Sequence, residues 1–358
     1  MDDHLIDEDT LSLGRRSVLP GEGFFTPDSF DDARAEADAR ERLDGADRVV
    51  VADPDADGLG CVALVRVARG DAVLLPAGPH EIDDALAYVA EFADPGVELY
   101  VCDLCPDDDR DVESLAAVAE RAETVRWFDH HQWDDALVDF VGEYADLVVG
   151  DSEEECTTDV ALRSLDYEFD DRYRDLAAVT RDHDLWLRDD PRSDDLADYA
   201  YWADPEEYVE TVVAHGATLP EAVEAFLAER RIEKEALIEK AVDRAEFETV
   251  GEWTVGVTYG RCSQNEVAEA MREQGADASV IVKPAGSASI RGTETFQRCH
   301  EVAQQVNGGG HPRAAGCKPD IYDDMLDYAH HWTTHGAVTK QVIIEAFRNL
   351  PADETELS

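Results

Sequence analysis

RVVVADPDADGLG, residues 48–60, is the stretch from which the rest of the chain can be read. Val49, Val50 and Val51 make a short continuous apolar run, the pattern of a parallel strand buried on both faces. Directly after it Asp53, Asp55 and Asp57 alternate, and Gly58 and Gly60 follow. Alternate residues of extended chain point the same way, so two or three of these carboxylates can converge on one point. Carboxylates that close repel one another unless a cation lies between them. Oxygen ligands suit a hard divalent ion such as Mg²⁺ or Mn²⁺. Standing alone, the stretch would also pass for an acidic turn on an acidic protein.

The chain around it has 358 residues, which suits two domains, each able to bury a core. Asp and Glu number 83 against 31 Lys and Arg, a formal net charge of −52 spread along the whole length. There are five lysines, the first at Lys234. This composition resembles that of haloarchaeal cytoplasmic proteins, whose surfaces stay hydrated in molar salt. At about 1 M salt the Debye length is only ~3 Å. The charge therefore does not exclude a nucleic-acid partner, although there is no basic stripe to argue for one. Of seven cysteines, Cys102 and Cys105 form a C-x-x-C without a second pair at zinc-knuckle spacing, so small buried thiols are expected. MDDHLIDEDT lacks the basic and apolar parts of a signal peptide. No apolar run approaches 18 residues, so no membrane span is expected. A soluble, cytoplasmic protein follows from this reading.

Residues 1–45 read as an acidic extension with a helix over 29–43, capped by Ser29. From Arg48 a strand–turn–helix pattern repeats. Helices are expected over 59–69, 82–92 and 111–122, and strands over 71–75, 97–101, 124–128 and 147–149. That alternation predicts a parallel sheet with helices on both faces. The third strand ends in Asp103 and the fourth in Asp129, His130 and His131. Open parallel sheets bind ligands outside the carboxyl ends of their strands. Helix capping explains one aspartate at such a place, but not three strands ending alike, nor adjacent histidines. A helix over 173–186 carries Asp182, His183 and Asp184; of the two carboxylates, Asp182 is the expected one to close the site. A long helix over 219–247, with Pro220 in its first turn, is expected to connect the domains.

The second domain begins near Trp253. Its strands read WTVGVTY, ASVIVKP and SASIRG, with helices over 265–274 and 296–306 and helical segments over 325–331 and 340–350. NGGGHPRAAG, residues 307–316, suggests a backbone anion nest. His311 and Arg291 are the cationic partners expected for a phosphate.

With these pieces placed, residues 48–316 resemble the DHH phosphoesterase family with its DHH-associated C-terminal domain, the group of RecJ-like exonucleases and nano-RNases. The markers are DPDADG (53–58), Asp103, the DHH triplet (129–131), RDHDLW (181–186), SIRG (289–292) and GGGHPRAAG (308–316). The resemblance implies an α/β chain in which a DHH domain (46–200) is joined by a helical connector (201–250). A smaller DHH-associated domain (251–335) and a C-terminal helix with an acidic tail (336–358) follow, and the active site lies in the cleft between the two domains. It also implies two divalent ions, Mn²⁺ before Mg²⁺, held by Asp53, Asp55, Asp57, Asp103, His130 and Asp182, with Asp103 as the bridge. His131 would face the scissile phosphate, and Asp129 would orient the ring of His130. Arg291, Gly308, Gly309, Gly310 and His311 would receive substrate phosphate.

The expected chemistry is hydrolysis of phosphodiester bonds in short single-stranded oligonucleotides by two-metal activation of water. No additional nucleic-acid domain is read after Gly316, which favours short substrates. Hydrolysis of a cyclic dinucleotide or of 3′-phosphoadenosine 5′-phosphate fits the same motifs. A non-catalytic replication-associated scaffold is the reading from another class. A homodimer, and replication or RNA-processing partners, are compatible with each of these.

Overall fold

A computed structural model describes residues 28–322 and 325–351. The N-terminal acidic extension up to residue 27 and the acidic tail from residue 352 lie outside the described residues. The chain divides into two compact units, Ser29–Ala228 and the remainder from Glu229.

In the first unit the order is α1 (Asp28–Leu43), β1 (Arg48–Ala52), α2 (Ala56–Arg69), β2 (Val73–Pro76), α3 (Ile82–Phe92), β3 (Glu98–Cys102), α4 (Leu115–Ala119) and β4 (Thr124–Asp129). Then come α5 (Asp135–Gly142), β5 (Asp146–Val149), α6 (Thr157–Ser164), α7 (Asp171–Asp184), α8 (Arg192–Trp202) and α9 (Pro205–His215). The five strands are all parallel in the order β2-β1-β3-β4-β5. The strand order reverses at β1, so the carboxyl ends of β1 and β3 flank the switch point where such sheets bind ligands.

The continuous apolar run of β1 has a direct cause. Val50 and Ala52 pack into one core with Tyr100, Phe128 and the buried face of α2, while Val49 and Val51 pack into another with Leu99, Val101 and Trp127. Successive side chains of a strand point to opposite faces, and here both faces are dry. Gly58 and Gly60 are required by space. A Cβ on Gly58 would lie 2.2 Å from the carbonyl oxygen of Asp53, and one on Gly60 would lie 2.5 Å from Thr158 Oγ1.

Several elements differ from expectation. Ser29 lies inside α1 rather than before it. The helix expected over 111–122 is a 3₁₀ turn over Asp109–Val112 followed by the short α4. There Asp108 accepts from Arg110 N while Asp111 accepts from the backbone of Asp107 and Asp108, which starts a turn early. The sequence reading contained no α5, α6, α8 or α9. Tyr208, Val209 and Val212 of α9 belong to the same core as α2, so the region read as connector starts inside the first unit.

The expected long helix is α10 (Glu221–Asp243), and the two units divide within it. The second unit continues with β6 (Glu246–Val250), β7 (Trp253–Tyr259), α11 (Gln264–Glu273), β8 (Ala278–Val282), β9 (Ala288–Gly292) and α12 (Cys299–Gln304). It closes with β10 (Gly308–Gly310), β11 (Ala314–Cys317), α13 (Met325–Thr333) and α14 (Ala337–Arg348). The sheet order is β10-β11-β9-β8-β7-β6, with β7 and β8 the parallel pair. Residues 246 and 247, read as helix, open β6, where Phe247 pairs with Gly256. Val255, Val280, Ile290, Phe296, Val302, Ile343 and Phe347 are in the core. No described helix is long and apolar enough to cross a membrane.

Because a methyl at position 60 collides with a buried threonine, Gly60→Ala is expected to lose about 1–3 kcal/mol of stability by overpacking. Gly142→Ala, which meets nothing within 4 Å, should lose none. Denaturant unfolding in high KCl measures both; equal stabilities would contradict the close approach of α2 to α6.

Candidate metal centre

The residues following β1 divide their work. Asp55 is the N-cap of α2, its Oδ1 accepting from Asp57 N at 2.8 Å and Gly58 N at 3.0 Å. Asp57, in the first turn of α2, is buried and meets the start of α6. Its two oxygens accept from Thr157 N at 2.6 Å and Thr158 N at 2.7 Å. A helix N-terminus is a ready partner for an anion, and this one holds Asp57 from a segment a hundred residues away. Asp53 is half-buried at the strand end, and burial together with Asp55 pushes its carboxyl up to about 7.

Asp103 follows β3 in the left-handed region, at φ 59°. A non-glycine residue there stores strain, and such positions concentrate at functional sites. Its backbone N–H bonds Phe128 O on the neighbouring strand, and its Oδ1 accepts from the Thr157 hydroxyl at 2.8 Å. That oxygen lies 3.9 Å from His130 Nε2 and 3.8 Å from His131 Nδ1. Burial, then the charges of Asp57, Asp55 and Asp184, hold the Asp103 carboxyl well above the usual carboxylate range.

The triplet after β4 is organised by Asp129, which is completely buried. It accepts from His130 N at 2.8 Å, His131 Nδ1 at 2.8 Å and Trp133 Nε1 at 2.6 Å. The structure thus corrects the role given to Asp129: its carboxylate orients the ring of His131, not that of His130. Burial alone would lower the His131 pKa, but the bond to Asp129 and its charge outweigh this and raise it to about 9. That direction favours the protonated ring while no cation is bound beside it, and the ring is partly exposed.

A second correction concerns the aspartate contributed by α7. Asp182 belongs to neither group of converging ligand atoms, and its oxygens accept from the Ser193 hydroxyl at 2.7 Å and from Asp189 N at 2.8 Å. Its carbonyl accepts from Leu187 N and Arg188 N. Asp182 therefore builds the turn, which includes left-handed residues Trp186 and Arg188. The carboxylate that reaches the site is that of Asp184, whose Oδ2 lies 3.3 Å from His130 Nε2.

Among the described residues, two sets of ligand atoms lie within 4.8 Å of one another: Asp103, His130 and His131, and Asp57, His130 and Asp184. Asp53 and Asp55 adjoin these sets without belonging to them. The donors fit a divalent cation. Asp184 Oδ2 is buried with no hydrogen-bond partner despite its nearness to an imidazole. Burial and the charges of Asp57 and Asp55 hold the Asp184 carboxyl well above its usual range. Hard oxygens with one imidazole are the donor chemistry of Mn²⁺ or Mg²⁺. Thr157, which ties Asp103 to the start of α6, was missed by the sequence reading. Its only signal was the Cys156-Thr157-Thr158 run ahead of a helical pattern.

In the second unit, Arg291 on β9 donates to Asn265 Oδ1 at 2.9 Å and to the carbonyls of Ile290 and Ala315. It lines a hollow of about 250 Å³ with Ser289, Gly310, Ala314, Ala315 and Gly316. The expected glycine nest is instead the edge strand β10, paired with β11. Gly308 and Gly310 have no room for a Cβ, whereas Gly309 would meet nothing within 4 Å. His311 opens the turn between these strands, its N–H bonding Ala314 O at 2.7 Å. A larger hollow, of about 530 Å³, lies beside β5 and holds none of the candidate ligands.

No family model matches the sequence, and no curated protein matches it either. Solved structures do. An exonuclease RecJ bound to manganese superposes with a TM-score of 0.56 at 17% identity, covering 95% of this chain and 98% of that one. The DHH domain of a member of the s1p family of ribosomal proteins gives 0.57 at 15% identity, covering 90% of each. RecJ from Thermus thermophilus in complex with Mn²⁺ gives 0.52 at 18%, covering 89% of this chain but 55% of that longer one. At such identities it is the fold that is shared: this chain has the fold of the RecJ and DHH-domain structures.

Proposed function

We propose that the protein is a divalent-metal-dependent phosphoesterase that hydrolyses phosphodiester bonds of short single-stranded oligonucleotides. The observation that carries this reading is the convergence of Asp57, Asp103, His130 and Asp184 beyond three strand ends, with Asp184 Oδ2 unpartnered. These four residues would hold two ions, Mn²⁺ before Mg²⁺, with Asp53 and Asp55 beside them. Such ions, when bound, lower the pKa of a water and offset the charge of the phosphate it attacks.

The chain's own groups do the rest. Thr157 and the N-terminus of α6 fix Asp103 and Asp57, so the carboxylates are held in place before substrate arrives. Asp129 keeps the His131 ring oriented and protonated, facing outward beside Asp103. An imidazolium there both attracts a phosphate and can give its proton from Nε2 to a departing oxygen. Arg291, the Gly309 backbone and His311 are proposed to receive a substrate phosphate. A scaffold without catalysis is disfavoured, because this donor set has no reason to be assembled in one.

The direct test incubates the protein in high KCl and Mn²⁺ with end-labelled DNA and RNA of about 3 to 20 nucleotides, a cyclic dinucleotide and 3′-phosphoadenosine 5′-phosphate. Short oligonucleotides should be shortened, and Asp103→Asn should be inactive; an Asp103→Asn protein as fast as the parent would end the proposal. Activity should decline on the alkaline side no higher than about pH 9, since bound cations only lower the His131 pKa. His131→Gln should lose that limb along with most of kcat.

Asp184→Asn should weaken Mn²⁺ binding by more than the ~10–100-fold typical of groups that merely support a ligand, read by calorimetry. Asp182→Asn should melt at lower temperature yet still bind Mn²⁺.

The same crowding predicts how the metal-free protein responds to pH. Asp53, Asp103 and Asp184 bind protons more tightly folded than unfolded. The stability they contribute is fully present below the ordinary carboxylate pKa, about 4. It is lost as pH rises through the folded values, about 7 for Asp53. Metal-free parent should therefore lose more stability across that range than metal-free Asp184→Asn, and saturating Mn²⁺ should restore only the parent. Parallel melting curves would show that these carboxylates are not crowded.

A further inference from the structure

The turn between α7 and α8 begins directly after Asp184 of the candidate metal centre. In it Trp186 adopts the left-handed region at φ 56°, and Arg188 does so at φ 61°. For a bulky side chain that conformation is an outlier, and it persists only where the surroundings enforce it. The enforcement comes from the end of α7. Trp186 N bonds His183 O at 2.9 Å, Leu187 N bonds Asp182 O at 2.8 Å, and Asp189 N bonds the Asp182 carboxylate at 2.8 Å. Among the described residues, five that are not glycine have positive φ, and three of them, Asp103, Trp186 and Arg188, lie in the candidate centre or in this turn.

Packing does not account for a tryptophan here. Glycine or asparagine would take the same backbone at less cost, and Trp186 belongs to neither core of the first unit. Its indole is half-buried, and Leu187 beside it is 52% exposed. The ring is nonetheless fixed. The Arg188 guanidinium stands over it, 4.9 Å from the centroid, and the His183 ring meets it at 5.5 Å with an interplanar angle of 69°. Asp194 of α8 steadies both neighbours, at 3.2 Å from His183 Nδ1 and 3.7 Å from Arg188. Two Cα steps of ~3.8 Å separate Trp186 from Asp184, so their Cα atoms are at most about 7.6 Å apart. A nucleotide whose phosphate lies beside Asp184 therefore has its base within reach of the indole. An uncharged planar base also meets no repulsion from the carboxylates of the rim.

We propose that Trp186 is a stacking platform for the nucleobase attached to the phosphate at the metal centre, so that the protein selects nucleotides over phosphates that carry no base. Every base has a π face, so such a platform accepts any of them and reads no sequence. An indole already held in one orientation loses little freedom when a base is laid on it. Asp182 and Asp194 act through the turn as positioning residues for the platform. This deepens the proposed function and rests on it for the presence of the phosphate beside Asp184.

The test compares two ligands that differ only by the base and contain no diester to hydrolyse. Full-length protein with Mn²⁺ in high KCl is titrated calorimetrically with a nucleoside 5′-monophosphate and with ribose 5-phosphate. The parent should bind the nucleotide about tenfold or more tightly than the sugar phosphate, as one stacked base allows. Trp186→Ala should bring the nucleotide down to the affinity of ribose 5-phosphate, and Trp186→Tyr should keep most of the preference. Tyr201→Ala, which removes an exposed aromatic ring of the same unit, should change neither. Circular dichroism and Mn²⁺ titration check that each variant is folded with its centre intact. Equal affinities in the parent, or a preference that survives in folded Trp186→Ala, overturns the proposal. So does an equal loss of both ligands together with Mn²⁺, which would make Trp186 a support of the turn. The titrations need no turnover, so absence of hydrolysis would count against the proposed activity and leave the platform to be judged by these affinities.

Discussion

Like charges gathered at the carboxyl rim of the parallel sheet are the constraint on which this architecture turns. The strands bring the carboxylates together because Val49, Val50 and Val51 are buried on both faces and cannot slip without exposing one of them. Most of the resulting charge is answered from within the protein. Asp55 caps α2, Asp57 is met by the first N–H groups of α6, and Asp129 is met by His131, Trp133 and a backbone N–H. Asp103 has a single hydroxyl, and Asp184 faces an imidazole without bonding it. Two of the carboxylates near His130, Asp103 and Asp184, thus remain under-compensated, while the third, Asp57, is held by α6.

The distinction between neighbouring aspartates follows from backbone geometry. Asp182 and Asp184 are two residues apart at the end of a helix, where a step of two turns the side chain to another face. The one facing inward was captured by Ser193 and Asp189 and became the fastening of the turn. The other was left at the rim. In the same way Asp129 and His131 form an ordered pair that keeps a positive charge beside several negative ones, while His130 between them presents Nε2 to the carboxylates. Strain at Asp103, in the left-handed region, is sustained by its bonds to Phe128 and Thr157 on two different elements.

The second unit answers a different electrostatic problem. Its sheet carries Arg291, half-buried and bonded to an amide oxygen and two carbonyls, in a chain with a formal net charge of −52. The glycines of β10 and β11 belong to that problem too. Gly308 and Gly310 are needed for close strand pairing, but Gly309 has space for a side chain and carries none.

The residues themselves determined that β1, β3 and β4 are strands of a parallel sheet and that acids and imidazoles stand at their ends. Apolar runs, glycines and strand–helix alternation are local signals, and each element bearing a ligand was legible from them. What the tertiary structure alone decided was the partner of each polar group. Nothing in the local pattern tells that Thr157 and Thr158 meet Asp57, that Asp129 serves His131, or that Asp182 is consumed by Ser193 eleven residues on. Likewise Gly308–Gly310 reads as a loop until β11 is present to pair with it. Periodicity reports which face of an element is buried, whereas a hydrogen bond depends on the position of a second element that only packing supplies.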